Sequence, residues 1–272
     1  IHCTDDTLEC IANSMGECSI GISNALSALK PDILVVLGDR YELLPICSVA
    51  MVRRIPIAHV SGGDITEGAI DDSIRHAVTK LSHLHFPGTE FSAKVLRQLG
   101  EPLERIFVVG EPGLDNFNRL HCLSKQELAE NLDLDERKKW VLFTYHPETL
   151  AGEGEDIKTL HNLFSVLDEQ EDIQVMMTYP NADPGSEAII QLLTTMNARN
   201  PSRYKLVKNL GQLHFISFLK IAWCMVGNSS SSLFEAPTAK LPAILISNRQ
   251  KGRLILGNII TSNGQRDSLL RS

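Results

Sequence analysis

The sequence predicts an α/β protein of two domains, each a parallel sheet flanked by helices. Three observations lead there. Short apolar runs, several of them β-branched, alternate with helix-length segments along most of the chain, the rhythm of strands joined by crossover helices. That rhythm breaks once, across the polar and charged stretch Ser124 to Lys139, and then resumes. The length of 272 residues is long for one open sheet and comfortable for two smaller domains.

Taken in order, Ile33 to Leu37 is a strand ending at Gly38, and Leu44 to Val52 is an apolar, helix-compatible run. Pro56 to Val60 is the next strand, ending at Gly62-Gly63. Asp71 to Leu84 and Thr89 to Leu99 are helical in pattern, and Ile106 to Val109 is a strand closed by Gly110. After Ser124 to Lys139, read as the start of a bridging segment, Trp140 to Tyr145 restarts the alternation. Strands follow at Ile173 to Thr178, Tyr204 to Val207, Cys224 to Val226 and Ala243 to Ile246. The helices between them are Ile157 to Leu167, Ser186 to Asn197, Phe215 to Ala222 and Leu233 to Thr238. The domains are placed at 1–119 and 120–272.

Composition narrows the function classes. The net charge of −7 and the absence of a basic stripe argue against a nucleic-acid partner. An acidic protein still binds phosphate locally, through backbone N–H groups and a few arginines. The six cysteines, Cys3, Cys10, Cys18, Cys47, Cys122 and Cys224, form no C-x-x-C pair, so neither a zinc site nor a disulfide framework is expected. Their scatter fits a reducing cytosol, and Cys47 and Cys224 read as buried thiols. No apolar run reaches the ~18 residues that would span a membrane, and no signal-peptide pattern opens the chain. A cytoplasmic protein is the expectation.

Ligands of parallel sheets bind beyond the carboxyl ends of the strands, so the residues after each strand carry the candidate chemistry. They include Gly38-Asp39-Arg40, His59 to Asp64, Gly110 to Gly113, Tyr145 to Glu148, Tyr179 to Asp183, Gly227 to Ser232 and Asn248 to Gln250. The best single site is Gly227 to Glu235, a strand, a small-residue loop and a helix. Small residues let backbone approach a ligand, helix N-terminal N–H groups face anions, and Asn228, Ser229, Ser230 and Ser231 add polar groups. Glu235 is placed to accept from ribose hydroxyls. An N-cap serine run explains such a loop without a ligand, but four consecutive serines exceed what capping needs.

Arg249, Lys251 and Arg253 read either as phosphate partners or as a solvated basic turn. Asp71 and Arg75, like Asp72 and His76, are four apart on one helix face. They read either as helix-stabilising pairs or as an acid/base cluster with Asp39, Asp64 and His59, since close carboxylates push their pKa values apart. No group of His, Asp and Glu has metal-site spacing, and no nucleophile elbow or P-loop appears.

The stretches PDILVVLGDRYE, AHVSGGDITEGAIDDSIRHAVTKLSHLH, VVGEPGLDN, HPET, YPNADPGS, GNSSSSLFEAP and NRQKGR together resemble the hydrolysing UDP-N-acetylglucosamine 2-epimerases of sialic and nonulosonic acid biosynthesis. DDSIRHAVTKLSH and GNSSS…EAP are the specific ones. The resemblance implies two Rossmann-like domains in the GT-B arrangement with a cleft between them. It implies loss of the C2 proton and departure of UDP to give a glycal, then addition of water to release the free 2-epimer, with no cofactor and no metal. A UDP-sugar of N-acetylglucosamine or a 2,4-diacetamido relative is the implied substrate, and a homodimer or homotetramer the implied assembly.

Carried over by position, Asp39 and Asp71 match acidic active-site residues, Arg75 a cleft arginine and His146 a histidine near the diphosphate. Ser229, Ser230 and Glu235 match diphosphate and ribose contacts, and Asn181, Asp183 and Arg249 fall in further cleft motifs. Ser61 stands where many members have Glu and others His, and Asp64 replaces a usual Glu. Ser232 and Ser247-Asn248 depart from the usual Gly and Gly-Asp. By the resemblance, the usual first strand and most of the usual C-terminal helical tail are expected to be missing from the chain as given. Three other functions share these features: an epimerase that retains UDP, a GT-B glycosyltransferase, and a catalytically weak nucleotide-sugar-binding protein.

Overall fold

Leu34–Leu37 (β1), Ile57–Val60 (β2) and Leu84–Phe86 (β3) pair in parallel in the order β1-β2-β3. The computed structural model describes residues 7–67, 69–148, 152 and 154–272. By their contacts the residues form two units, the first running to Pro112 and including Lys251–Arg253, the second comprising Gly113–Gln250 and Leu254–Ser272.

In the first unit, Leu8–Leu29 (α1), Leu43–Val52 (α2) and Asp71–Leu81 (α3) precede successive strands, and Glu90–Gln98 (α4) follows β3. Val36 and Ile57 pack with Leu26 of α1, Cys47 and Ala50 of α2, and Ile74 and Val78 of α3. Val35 and Leu37 point away from that core, as the period of two in a strand requires. α4 is capped by Thr89, whose hydroxyl accepts from Ser92 N–H at 3.0 Å. α3 opens on Asp71 and Asp72 and carries Lys80 in its last turn, both favourable to the helix dipole.

Two expected elements differ here. The helix expected to Leu84 stops at Leu81, with extended Ser82 behind it, because Leu84 is taken by β3. The strand expected over Ile106 to Val109 makes one isolated bridge, His85 to Ile106. It runs extended beside β3, Phe107 N–H donating to His85 O at 2.8 Å and Val109 N–H to Pro87 O at 3.1 Å.

The second unit carries a six-stranded parallel sheet in the order β6-β5-β4-β7-β8-β9. Its strands are Lys139–Thr144 (β4), Ile173–Thr178 (β5), Tyr204–Val207 (β6), Cys224–Gly227 (β7), Ala243–Ile246 (β8) and Ile259–Ser262 (β9). The helices are Asn116–Arg119 (α5), Lys125–Leu132 (α6), Glu155–Asp168 (α7), Ser186–Arg199 (α8), Gly211–Ile221 (α9), Glu235–Thr238 (α10) and Arg266–Leu270 (α11). Alternate residues of β4 feed two cores. Val141 and Phe143 pack with Leu160 and Phe164 of α7 and Ile189 of α8. Trp140 and Leu142 pack with Leu128 of α6 and Phe218 of α9. Helices on both faces make this a doubly wound sheet, the fold class expected.

The stretch expected to begin a bridge instead forms α6 and belongs to this core. Ser124 and Glu127 form a capping box, and Leu128 is fully buried; the S-x-x-E spacing is the signal for such a helix start. Trp140 stacks on Phe218 at 5.6 Å between ring centroids, whereas Trp223 is half exposed under the Lys139 ammonium. Cys47 is buried and its thiol pushed up to about 11 by desolvation. Cys224, expected buried, is only partly so. No helix among the described residues is long and apolar enough to cross a membrane.

Candidate active site

In the first unit the polar groups gather where β1 and β2 end. Arg75 enters from α3 and is 1% exposed. Leaving a guanidinium buried and unpaired costs several kcal/mol, and the chain supplies its partners. Arg75 pairs with the Asp39 carboxylate, donates from Nη1 to the Asp64 carbonyl at 2.9 Å, and lies 3.6 Å from Asp72 Oδ1. Asp72 also accepts from Thr66 N–H at 2.6 Å and sits 3.5 Å from His76, the i,i+4 pair expected. Asp71 is the first residue of α3 and half-buried. Asp64 Oδ1 accepts from Ser92 Oγ at 2.6 Å.

The loop holding Asp64 is shaped by glycine. Gly63 has φ +88, and a Cβ there would lie 2.3 Å from the Ser92 carbonyl oxygen of α4. At Gly62 a Cβ would lie 2.8 Å from the His59 ring. His59 itself is fully enclosed. Its Nε2 bonds the Gly38 carbonyl at 2.8 Å, and its Nδ1 lies 3.3 Å from Thr79 Oγ1. With both ring nitrogens engaged inside the protein, His59 braces the loop after β1 and does not present itself to a ligand. Burial lowers its pKa to about 4, against the opposing Gly38 bond, so the ring is neutral near pH 7.

The cations Arg249, Lys251 and Arg253 do not form one cluster. Arg253, 11% exposed, belongs to the first unit, 3.3 Å from Asp64 Oδ2 and 3.9 Å from Asp39 Oδ2, with Nε donating to Thr66 at 3.0 Å. Lys251 pairs with Glu67 at 2.8 Å. Arg249 is buried in the second unit. It donates from Nε to the Pro147 carbonyl at 3.3 Å and lies 3.8 Å from buried Asp183. Nearness in sequence hides this division. Sequence reasoning therefore left Arg253 out of the acidic cluster it completes.

In the second unit the ends of β4 and β7 meet at a glycine. Gly227 has φ +144, and a Cβ there would lie 1.9 Å from the Thr144 carbonyl oxygen. Only glycine permits that approach. It allows Asn228 to bridge to the backbone of His146, accepting from its N–H at 2.7 Å and donating to its carbonyl at 2.8 Å. His146 Nδ1 accepts from Asn181 N–H at 3.0 Å, which places the proton of the neutral ring on Nε2.

The helix expected from Leu233 is broken in two. Ser229 caps a 3-10 turn at Ser230–Ser232, its hydroxyl accepting from Ser231 N–H at 3.3 Å, and α10 begins at Glu235. Four small hydroxyl residues favour the tight turn over a regular helix. Desolvation raises the Glu235 pKa, opposed by bonds to its own backbone and to Ser231. Ser229 and Ser231 line a cavity of about 270 Å³ with Thr144, Thr178, Lys208 and Phe215. Applied to β6, the strand-end rule points to the loop Lys208–Gly211, which sequence reasoning passed over.

Charged and hydroxyl groups at the carboxyl ends of parallel strands, one set around buried Arg75 and one around a serine turn, define a doubly wound α/β protein built to hold a polar ligand. The chain belongs to the UDP-N-acetylglucosamine 2-epimerase family, whose profile matches residues 1–272. It is 41% identical over 258 residues to the GDP/UDP-N,N'-diacetylbacillosamine 2-epimerase (hydrolyzing) of Campylobacter jejuni, covering 95% of this chain and 67% of that protein. It is 31% identical over 260 residues to the UDP-N,N'-diacetylbacillosamine 2-epimerase (hydrolyzing) of Legionella pneumophila, covering 96% and 68%. The chain thus spans about two thirds of these relatives. The structure of UDP-GlcNAc 2-epimerase from Neisseria meningitidis bound to UDP-GlcNAc superposes with a TM-score of 0.81 at 19% identity, covering 100% of this chain and 74% of that one. This likeness bears on the fold.

Proposed function

We propose that this protein is a hydrolysing nucleotide-sugar 2-epimerase, which eliminates UDP from the sugar and hydrates the glycal to release the free 2-epimer. The observation that carries the reading is the 41% identity, across 95% of the chain, to a relative named as a hydrolysing 2-epimerase. The geometry supports it. Elimination and hydration need proton acceptors and donors at the sugar and anion-binding groups at the diphosphate. Asp39 and Asp64, held beside Arg75, and Asp71 at the start of α3 serve the sugar. His146, Asn228, Ser229, Ser230, Ser231 and Glu235 serve UDP, with Asn181, Asp183 and Arg249 behind them. The two relatives' names favour the 2,4-diacetamido-6-deoxy sugar, N,N'-diacetylbacillosamine, over N-acetylglucosamine as the substrate.

The full-length protein incubated with each UDP-sugar in D₂O and followed by NMR tests this reading. The expected outcome is free UDP with a free 2-epimer carrying deuterium at C2, faster from the diacetamido substrate. Epimerised sugar still joined to UDP would replace the hydrolysing reaction with the reversible one. Ser61 favours a second reading, a nucleotide-sugar-binding protein with weak turnover, because a serine hydroxyl is no acid or base near neutral pH. Bound but unchanged sugar would establish that alternative.

A further inference from the structure

β4 ends at Thr144, and the chain then turns through His146-Pro147-Glu148. A turn past the end of a strand leaves the ladder, so other groups must meet its backbone donors. Proline has no N–H, which leaves the donors of His146 and Glu148. Both are met by side chains. His146 N–H donates to Asn228 Oδ1 at 2.7 Å, from the loop after β7. Glu148 N–H donates to Asp156 Oδ2 at 3.1 Å, from the first turn of α7. The function proposed above uses Asn228 and gives Asp156 no task.

The other oxygen of Asp156 accepts from the Tyr145 hydroxyl at 2.8 Å. One carboxyl group thus grips the chain on both sides of His146-Pro147. Its two attachments differ in kind. Tyr145 is 1% exposed and belongs to the core formed with Phe143, Leu160 and Phe164, so it is a fixed point. Glu148 is half-buried, and Asp156 sets its position relative to that core. An acid in the first turn of a helix commonly serves the helix itself. Here the N-cap is Gly154, which makes no side-chain capping bond, and both Asp156 oxygens are directed at the turn after β4.

Loops from two more strands close on the same turn. After β5, Asn181 N–H donates to His146 Nδ1 at 3.0 Å. After β8, Arg249 Nε donates to the Pro147 carbonyl at 3.3 Å, and Asn248 N–H donates to Glu148 Oε1 at 2.8 Å. The turn is where the loops after β5, β7 and β8 meet.

We propose that Asp156 is a positioning residue for nucleotide binding: it holds the His146-Pro147-Glu148 turn where Asn181, Asn228 and Arg249 reach it. The assignment rests on the reading that His146 and the serine turn serve UDP. Asp156 acts through the turn and makes no bond to the reacting atoms. Its loss therefore weakens ground state and transition state alike, which raises KM and spares kcat.

The test is titration calorimetry of the full-length protein with UDP, together with kcat and KM for UDP-N,N'-diacetylbacillosamine. Asp156→Ala is expected to raise the UDP Kd and the KM by about tenfold, with kcat held within about threefold. A merely structural residue gives another pattern: fewer folded molecules lower the apparent kcat, while KM and Kd stay unchanged. Asp156→Asn supplies the rescue. Its amide oxygen accepts from Glu148 N–H while its NH₂ group donates to the Tyr145 oxygen, so UDP affinity should return to within about threefold of wild type. Tyr145→Phe removes only the fixed end and should raise Kd and KM by about threefold; it decides the question where Asp156→Ala does not fold. Unchanged UDP affinity in the deciding variant overturns the proposal. So does an Asp156→Asn protein as weak as Asp156→Ala, which assigns the effect to charge. A wild-type protein that binds UDP but turns over no sugar removes the hydrolysing reaction, and the Kd comparison still decides the role of Asp156. A wild-type protein that binds no UDP removes both, a result seen without any substitution.

Discussion

His59 and Arg75 are both buried beside the strand ends of the first unit, one neutral and one charged. The Arg75 guanidinium is offset in its buried position by Asp39, Asp72 and the Asp64 carbonyl. His59 gives up its charge because burial outweighs the Gly38 bond. The consequence for stability has a definite sign. Between pH 6.5 and about 4 the unfolded chain protonates this histidine and the folded chain does not. Stability is therefore lost as pH falls through that window, by roughly 3 kcal/mol at its lower end. His85, also lowered by burial, contributes in the same direction. Thermal melting from pH 7 to pH 5 should show the loss, and His59→Gln should flatten it. An identical pH dependence in that variant would assign the effect to other groups.

At the scale of elements, the strands were the most legible part of the sequence. Ile173–Thr178, Tyr204–Val207 and Ala243–Ile246 occupy the residues expected of them; Ile173–Thr178, buried along its whole length, is the short apolar run with polar ends that a strand covered on both faces requires. α1 was not legible. Its 22 residues mix Ser, Gly and Cys with apolar positions, which blurs the helical period, and most of its surface is exposed. β9 was missed because Ile260 and Thr261 face solvent and its run is short. The site divides in the same way. Asp39, Asp64, His146 and the serine turn were found by position after strands. The place of Arg253 beside Asp39 and Asp64 was not, because it reaches them through a fold that no spacing reports.

The contact of β4 with β7 is where one element depends most on a single residue. Gly227→Ala would drive a Cβ into the Thr144 carbonyl and impose a strained φ. It should destabilise the protein by at least about 2 kcal/mol in urea unfolding and weaken UDP binding by displacing Asn228 and Ser229. A variant with unaltered midpoint and UDP affinity would show that the strand ends relax without cost.

For the molecule as a whole, the division into two units separates the proposed roles. The cavity beside the serine turn lies in the second unit, and the arginine–carboxylate cluster in the first. UDP alone, lacking the sugar, should therefore stabilise chiefly the second unit. At a concentration 100 times its Kd the expected gain is about 2.7 kcal/mol. Far-UV circular dichroism, which samples both units, should retain a part of the melt that UDP does not move.

The two tryptophans make that separation visible without a label. Trp140, packed against Phe218, and Trp223, half open to water, are the only tryptophans of the chain, and both lie in the second unit. Excited where only tryptophan absorbs, the protein emits from that unit alone. The shielded ring should emit toward the blue and the solvated one toward the red, so unfolding of the second unit is read as a single spectral shift. The first unit stays dark throughout, and a tryptophan introduced at Phe107 would give it a signal of its own.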